Sequence, residues 1–341
     1  MAKLGGFKTL RSQSRESHLN LTSSQRYFLK MSQTVQPKPE RVQVIVNPAP
    51  SRRIPLLAIL NQAFRDAGIY WDISITHGTG DGSALAREAV ESGADVVAVY
   101  GGDGTVMEVA SGLIGTDIPM LILGGGTGNL VASELRLPTQ LERACDLICG
   151  EEYTTRHIDA GMMGDRPFLL RIGCGIEVGV VQEATRELKN QFGKWAYVFA
   201  GIKMLQETPE ANYELTIDGE ESISVSGVAC VVANAGTVGV GRLTLAPSVD
   251  VNDGRLDLFI LKKANIEGIV QLASKMMGLD NIRREDSEQA ALDASQLVSH
   301  WSVDTVKIDT DPAIDIQVDG DVVASTPQLI KVVPEALRVV V

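Results

Sequence analysis

Strand-like and helix-like segments alternate over residues 41–123, and this alternation constrains the fold more than any other feature of the sequence. Strands that alternate with helices form right-handed βαβ units around a parallel sheet. Residues 41–155 are therefore expected to form a doubly wound α/β domain. The predicted order is a strand running into a loop at 41–48, helix 55–67, strand 70–76, helix 83–91, strand 95–100, helix 106–113 and strand 119–123.

The second half is patterned differently, with one short strand-like segment after another and Asp-Gly pairs between them. Such spacing predicts an antiparallel, sandwich-like domain over residues 156–341. Helical spacing recurs at 178–207 and 266–277, where aromatic and Met residues suit either an acyl-chain cleft or an ordinary core. The Asp-Gly turns are predicted at residues 218–219, 253–254 and 319–320.

Length and charge set the outer limits. A chain of 341 residues suggests two domains, and a net charge of −12 argues against a general nucleic-acid binder. Residues 1–40 carry seven Lys or Arg and two Glu, and their composition predicts a disordered basic tail. A misassigned start, a segment attracted to anionic lipid and a transit peptide stay open for this tail. Four cysteines without a spaced framework and no apolar run of membrane-spanning length favour a cytoplasmic protein.

Two glycine-rich stretches, GGDGT and GGGTGN, follow neighbouring predicted strands. Ligands of parallel sheets bind beyond the carboxyl ends of the strands, where glycines let backbone N–H groups approach an anion. The two stretches together predict a phosphate-binding cradle. Its candidate residues are Gly101, Gly102, Asp103, Gly104 and Thr105 in the first stretch, and Gly124, Gly125, Gly126, Thr127, Gly128 and Asn129 in the second.

Other phosphate-binding motifs are excluded. The first βα turn is NPAPSRR rather than a dinucleotide-binding glycine motif, and no P-loop sequence occurs. Asp103 beside a triphosphate implies a Mg²⁺ ion between the two negative groups. Glu108, one turn into the following helix, is expected to support the same site or to cap the helix.

These residues resemble a known family. GGDGTVMEV is similar to the GGDGTxxEV signature of the diacylglycerol kinase catalytic-domain family, which includes sphingosine kinases and bacterial lipid kinases and is related at greater distance to NAD kinases. Further matches follow in order over residues 41–341: VNP, a T…GD…LA segment, GTGN, LLRIGCGIEVGVV, ANAGTVGVGRLTLAPSVDVNDGRLDL and the late DGD. The resemblance implies an α/β nucleotide-binding domain, a β-rich domain and an active site in the cleft between them.

The family's activity implies transfer of the ATP γ-phosphoryl group to a lipid hydroxyl. Asp319 and Asp321 match the family's DGE and would lie across the cleft, one of them accepting the proton; on one strand they would share a face, although DG also suits a turn. Asp103 would assist, and Asp253 would bind a structural Mg²⁺ with carbonyls of Asp250 and Arg255. The resemblance places ATP against Asn47, Pro48, Thr76, Gly102 to Glu108 and Thr127.

The sequence departs from the family in three places: the first loop lacks its glycine, Val240 interrupts a triple glycine, and Asp321 replaces a Glu. We expect an ATP- and Mg²⁺-dependent lipid kinase, with diacylglycerol as the first candidate substrate. It would be cytoplasmic, contacting the inner membrane face where the lipid lies and no nucleic acid; a homodimer stays open. A kinase for another small molecule such as NAD, and a non-catalytic nucleotide sensor, are the alternatives.

Overall fold

The computed structural model describes residues 33–49, 54–175, 208–238, 243–244, 249–262, 298–319 and 321–341. The predicted tail up to residue 32, the predicted helices at 178–207 and 266–277, and the interrupted triple glycine lie outside these residues. So do residues 50–53 of the first loop, where the sequence departs from its family.

The first half is the predicted α/β arrangement. Four parallel strands pair in the order β3–β2–β4–β5, and the βαβ prediction is confirmed. The elements are β1 (Gln33–Pro37), β2 (Arg41–Val46), α1 (Leu56–Asp66), β3 (Tyr70–Ile75), α2 (Asp81–Glu91), β4 (Val96–Gly101), α3 (Asp103–Leu113), β5 (Met120–Gly124), α4 (Leu130–Glu134) and α5 (Leu141–Asp146).

Helices cover both faces of this parallel sheet. Every residue of β4 is buried, and its side chains alternate between two apolar clusters. Val97 and Val99 face α2, α3 and α4, whereas Val96 and Ala98 face α1 and α5. A strand buried on both faces needs apolar residues at every position, which is why the sequence of β4 shows no polar alternation.

The close contact between α2 and α3 depends on glycine. A Cβ atom on Gly112 would lie 2.6 Å from the carbonyl oxygen of Ser83, and one on Gly82 would lie 2.8 Å from the Cβ atom of Glu108. Any larger residue would force the helices apart. The packing therefore places Glu108 directly against the beginning of α2.

The second half is built around two sheets with an apolar core between them, as the sequence predicts, and two further short strands of the described chain form a small separate sheet. One six-stranded sheet has the order β15–β14–β11–β8–β17–β18 and packs against the strands that continue the first sheet. The elements are β6 (Glu152–Met163), β7 (Arg166–Phe168), β8 (Arg171–Cys174), β9 (Ala211–Ile217), β10 (Ile223–Gly227), β11 (Ala229–Ala233), β12 (Thr237–Val238), β13 (Leu243–Thr244), β14 (Leu256–Leu261), β15 (Val298–Val303), β16 (Thr305–Thr310), β17 (Asp315–Val318), β18 (Asp321–Ser325) and β19 (Gln328–Val340).

The last strand connects the two halves. β19 pairs with β6 and β16 and also lies parallel to β5, with Val339 opposite Met120. An eleven-stranded sheet therefore runs through both halves of the described chain. The domain boundary predicted between residues 155 and 156 falls inside β6.

Strand β1 corrects the predicted tail. Gln33–Pro37 pairs antiparallel with residues 152–156 of β6, so the prediction of disorder through residue 40 is wrong for these five residues. Their Gln- and Pro-rich composition resembles a tail, but pairing with a distant strand satisfies their backbone hydrogen-bonding groups. Across the described ranges, none of the helices combines the length and hydropathy that membrane crossing requires.

Candidate functional site

The two glycine-rich loops lie side by side at the carboxyl ends of β4 and β5. The N–H groups of Gly125 and Gly126 donate to the carbonyl oxygen of Gly101 over 2.9 and 3.1 Å. A Cβ atom on Gly126 would lie 2.7 Å from the Cα atom of Gly102. Backbones this close exclude every side chain, so the glycines at this contact are required by the packing of one loop on the other.

A cavity of about 680 Å³ opens above the two loops. It includes most of the residues named for the phosphate cradle and for ATP, but not Gly101, Gly124 and Asn129, nor Val106 and Met107 within the Gly102 to Glu108 run. It adds four residues that the sequence analysis did not name: Ala49, His77, Gly78 and Thr79. The lining residues are Asn47, Pro48, Ala49, Thr76, His77, Gly78, Thr79, Gly102, Asp103, Gly104, Thr105, Glu108, Gly125, Gly126, Thr127 and Gly128.

Gly101 and Asn129 instead form hydrogen bonds with the backbone of the second loop. The Asn129 side chain accepts the N–H of Gly126 and donates to the carbonyl of the same residue, both over 3.0 Å. Asn129 has a φ of 49°, a left-handed conformation that Asn tolerates better than most residues. Both residues therefore maintain the backbone of the cradle.

Asn47 joins the end of β2 to the first glycine loop. Its side-chain N–H donates to the Thr105 hydroxyl over 2.8 Å, and its Oδ1 atom accepts the N–H of Ala49 over 2.9 Å. Asn47 and Thr105 lie 58 residues apart in sequence. This hydrogen bond supports the prediction that VNP and GGDGT belong to one site.

Asp103 also joins two segments. Its Oδ1 atom accepts the N–H of Val131 over 3.2 Å, at the beginning of α4. Burial raises the pKa of Asp103, while the N–H groups of Val131, Leu130 and Asn129 act in the opposite direction. Its Oδ2 atom faces Gly128, where a Cβ atom would lie 2.9 Å away. Asp103 thus fixes the second loop and is itself a lining residue of the cavity.

Two carboxylates hold the residue 76–82 loop, which forms one wall of the cavity. Glu108 accepts the N–H of Gly80 at Oε1 over 2.8 Å and the N–H of Gly82 at Oε2 over 3.0 Å. Asp81, which belongs to the loop itself, accepts the N–H groups of His77 and Gly78. The predicted support role of Glu108 thus takes the form of contacts with the loop backbone.

Of the two arrangements expected for Asp319 and Asp321, a shared strand and a turn, the structure has the turn. They do not share a strand: Asp319 has a φ of 49° in the turn after β17, and Asp321 begins β18. Asp319 accepts the N–H groups of Leu169 and Arg171 over 3.3 and 2.8 Å, whereas Asp321 is exposed. Burial raises the pKa of Asp319 to about 6 despite these hydrogen bonds and the Arg171 guanidinium. The hairpin gives the two acids different surroundings.

Arg171 is a site residue that the sequence analysis missed. Burial lowers the pKa of Arg171, and the negative charges of Asp319, Asp103 and Glu134 raise it, in that order. Arg171 therefore lies within electrostatic reach of an acid from each half of the molecule. The available signal was a cationic residue at the start of a strand whose buried positions, Ile172 and Cys174, are apolar.

The loop of the predicted Mg²⁺ site, residues 250–255, is held by Asp159, which the sequence analysis did not name. Asp159, buried on β6, accepts the N–H of Gly254 over 2.7 Å and the N–H of Glu335 over 2.8 Å. Asp253 accepts the N–H of Arg255 over 3.0 Å. Within the described residues no three His, Cys, Asp or Glu side chains gather as metal ligands. The Mg²⁺ site predicted from the Asp253 carboxylate and the backbone carbonyls of Asp250 and Arg255 stays a prediction.

The fold and the cavity define a class of protein: a doubly wound α/β region with a glycine-lined cavity, joined through one sheet to a β-sandwich. Two family models match the chain, the diacylglycerol kinase catalytic domain over residues 41–163 and the YegS C-terminal NAD kinase beta sandwich-like domain over residues 171–341. The chain belongs to the diacylglycerol kinase catalytic-domain family of lipid kinases, as its motifs predicted.

Individual relatives agree with this assignment. An uncharacterised protein of Synechocystis is 32% identical over 248 residues, 72% of this chain but 55% of that relative's own length. A protein named diacylglycerol kinase from Bacillus subtilis is 29% identical over 287 residues, covering 83% of this chain and 90% of that one. A solved structure of a diacylglycerol kinase from Bacillus anthracis superposes with a TM-score of 0.67 at 22% identity, covering 89% and 98% of the two chains, and supports the fold.

Proposed function

We propose that this protein transfers the γ-phosphoryl group of ATP to a lipid hydroxyl, with diacylglycerol as the first candidate acceptor and phosphatidic acid as its product. The observation that carries the proposal is the cavity over the two glycine loops. Its volume of about 680 Å³ suits a nucleotide, since small-molecule sites usually measure roughly 300–1,000 Å³.

The first turn of α3 is the proposed binding site for the phosphates. Its leading N–H groups have no intrahelical acceptor, and the helix dipole adds partial positive charge at that end. Gly104 carries no side chain and a Cβ atom there would meet no atom within 4 Å, so the backbone is open towards a ligand. Thr105 and Thr127 line the same cavity with hydroxyl groups.

A Mg²⁺ ion accompanying ATP fits the described residues. Asp103 lines the cavity, and a carboxylate oxygen is the donor that this hard cation prefers. When bound, Mg²⁺ would neutralise charge on the phosphates. Asp103 itself keeps one oxygen on the beginning of α4, so its proposed roles are to hold the second loop and to face the ion.

Asp321 is the proposed proton acceptor, and Asp319 the residue that positions it. Asp319 already accepts two backbone N–H groups, which fix the hairpin, whereas the Asp321 carboxylate is exposed at the first position of β18. As the lipid hydroxyl oxygen bonds to the γ-phosphorus, its proton passes to Asp321 and the bond to the β-phosphate oxygen breaks, releasing ADP. Arg171 would stabilise the charge that develops between the two halves.

A lipid acceptor implies work at a membrane surface, so we propose peripheral contact with the cytoplasmic face of the inner membrane. The name of the Bacillus subtilis relative supports diacylglycerol as the first acceptor to test. No nucleic-acid partner is proposed for a chain with a net charge of −12. A homodimer stays open.

The test is a phosphorylation assay with several acceptors. Purified protein receives labelled ATP and Mg²⁺ with mixed micelles of diacylglycerol, a sphingoid base, phosphatidylglycerol or an isoprenoid alcohol, and separately with NAD. We expect one lipid to gain phosphate, detected by mass spectrometry, and Asp321→Asn to abolish the transfer while ATP still binds. Phosphorylation of NAD alone, or ATP binding without any transfer, would contradict the proposal.

A further inference from the structure

The residue 76–82 loop differs from the two glycine loops in how its backbone donors are used. Asp81 Oδ2 accepts the N–H groups of His77 and Gly78 over 2.7 and 2.8 Å, and Glu108 accepts those of Gly80 and Gly82. Four N–H groups of a loop that borders the cavity are therefore bound to the protein's own carboxylates. Such a loop is poorly suited to bind a phosphate group through these four N–H groups.

Both oxygens of Glu108 are engaged in this arrangement. Hydrogen bonds from N–H to an ionised carboxylate are roughly twice as strong as neutral ones, and this pair ties α3 to the residue immediately before α2 and to a residue in its first turn. A negative side chain beside a triphosphate would otherwise repel it. Here the Glu108 carboxylate accepts hydrogen bonds from two backbone N–H groups, which reduces its repulsion of a triphosphate.

The loop sequence is shaped to meet Glu108. Gly80 has a φ of 91°, a left-handed conformation that most residues avoid, and it is the N-cap of α2. A Cβ atom on Gly82 would lie 2.8 Å from the Glu108 Cβ atom and 2.9 Å from its Oε2 atom. Glycine at both positions thus permits a contact that any other residue would strain or block.

We propose that Glu108 is a positioning residue: it acts on the nucleotide through the residue 76–82 loop, fixing the wall formed by Thr76, His77 and Thr79, and not by touching phosphate or metal. This inference rests on the proposed nucleotide-binding function. It assigns the phosphates to the glycine loops and leaves the 76–82 loop to set the width of the cavity through its side chains.

Amide hydrogen exchange tests the contact without nucleotide. Glu108→Gln keeps the shape of the side chain but turns an N–H₂ group towards one of the two donors. We expect exchange at Gly80 and Gly82 to accelerate by roughly tenfold or more, while His77 and Gly78 stay protected. Asp81→Asn should give the reciprocal pattern, and Glu91→Gln, the same change at an exposed position of α2, should give neither.

Titration and kinetics test the consequence for the nucleotide. In Glu108→Gln we expect the Kd for Mg²⁺-ATP to rise about tenfold, with kcat at saturating ATP within about twofold of the unsubstituted protein. Unchanged exchange at Gly80 and Gly82, or a fall in kcat with Kd preserved, would overturn the inference. If the unsubstituted protein binds no Mg²⁺-ATP, the proposed function fails, and the exchange pattern still decides whether Glu108 holds the loop.

Discussion

The backbone of Arg171 forms two hydrogen bonds with Asp319, one with its carboxylate and one with its backbone N–H group. The Arg171 N–H donates to the Asp319 carboxylate over 2.8 Å, and the Asp319 N–H donates to the Arg171 carbonyl over 3.0 Å. The charges of these residues also interact, and Asp103 adds a third charge from the α/β half. Through this pair, the turn carrying the late DGD motif is coupled to the glycine loops.

Removing the Arg171 charge should be visible at Asp319. Since the guanidinium lowers the pKa of Asp319, Arg171→Met should raise that pKa above its value of about 6. We also expect kcat to fall by tenfold or more, because a buried partner charge is left uncompensated. Carboxyl chemical shifts measured against pH report the first effect, and Arg166→Met, at the exposed first position of β7, is the control. An unmoved Asp319 titration would show that the two charges do not interact.

Asp319 should also make the free energy of unfolding depend on pH. Its pKa of about 6 in the folded protein exceeds the ordinary Asp value of 3.8, so its favourable contribution to stability is complete below pH 3.8 and is lost as pH rises through about 6. The shift corresponds to about 3 kcal/mol, and partial exposure reduces this to about 2.

Denaturant titrations at pH 4 and pH 7 measure this loss as a difference between the unsubstituted protein and Asp319→Asn. Asp321→Asn, the same change at the exposed acid of the hairpin, is the matched comparison. A stability difference between the unsubstituted protein and Asp319→Asn that stays constant over this pH range would contradict the account of the buried carboxyl.

The contact between the glycine loops gives a steric prediction. Gly126→Ala would place a Cβ atom 2.7 Å from the backbone of Gly102, so the loops must separate. We expect a lower Tm and a Kd for Mg²⁺-ATP that rises by tenfold or more, both measured by calorimetry. Gly104→Ala meets no atom within 4 Å and should retain the Tm. Equal Tm values for the two variants would show that the loop contact is not tight.

Metal dependence separates the structural ion proposed at residues 250–255 from the ion that accompanies ATP. Without nucleotide, Mg²⁺ should raise the Tm of the unsubstituted protein and a chelator should reverse the rise. Asp253→Ala should lose this increment. An increment of the same size in both proteins would remove Asp253 from the proposed site, and no increment in either would remove the structural ion.

Local pattern was sufficient for much of this fold. The apolar runs of β4 and β5, the helical spacing of α1 and the Asp-Gly turns are all readable over a few residues, and the structure has them close to their predicted positions. Glycines after two successive strands also predicted correctly that their loops would meet, because the ends of parallel strands share one edge of the sheet.

Long-range pairing was not readable in the same way. Arg171, Asp159 and strand β1 gain their roles from partners more than 80 residues away in sequence, such as Asp319, Gly254 and β6. For Asp319 and Asp321 the sequence left a shared strand and an Asp-Gly turn open, and the structure has the turn. Nothing in the local sequence of these residues specifies which distant backbone groups they will meet.

The most direct test of the central claim is isothermal titration of Mg²⁺-ATP into the purified protein and into Gly126→Ala. If paired glycine loops bind the phosphates, the unsubstituted chain should bind one nucleotide per molecule and the variant should bind at least tenfold more weakly. No heat of binding in the unsubstituted protein, or equal affinity in both proteins, would contradict the account.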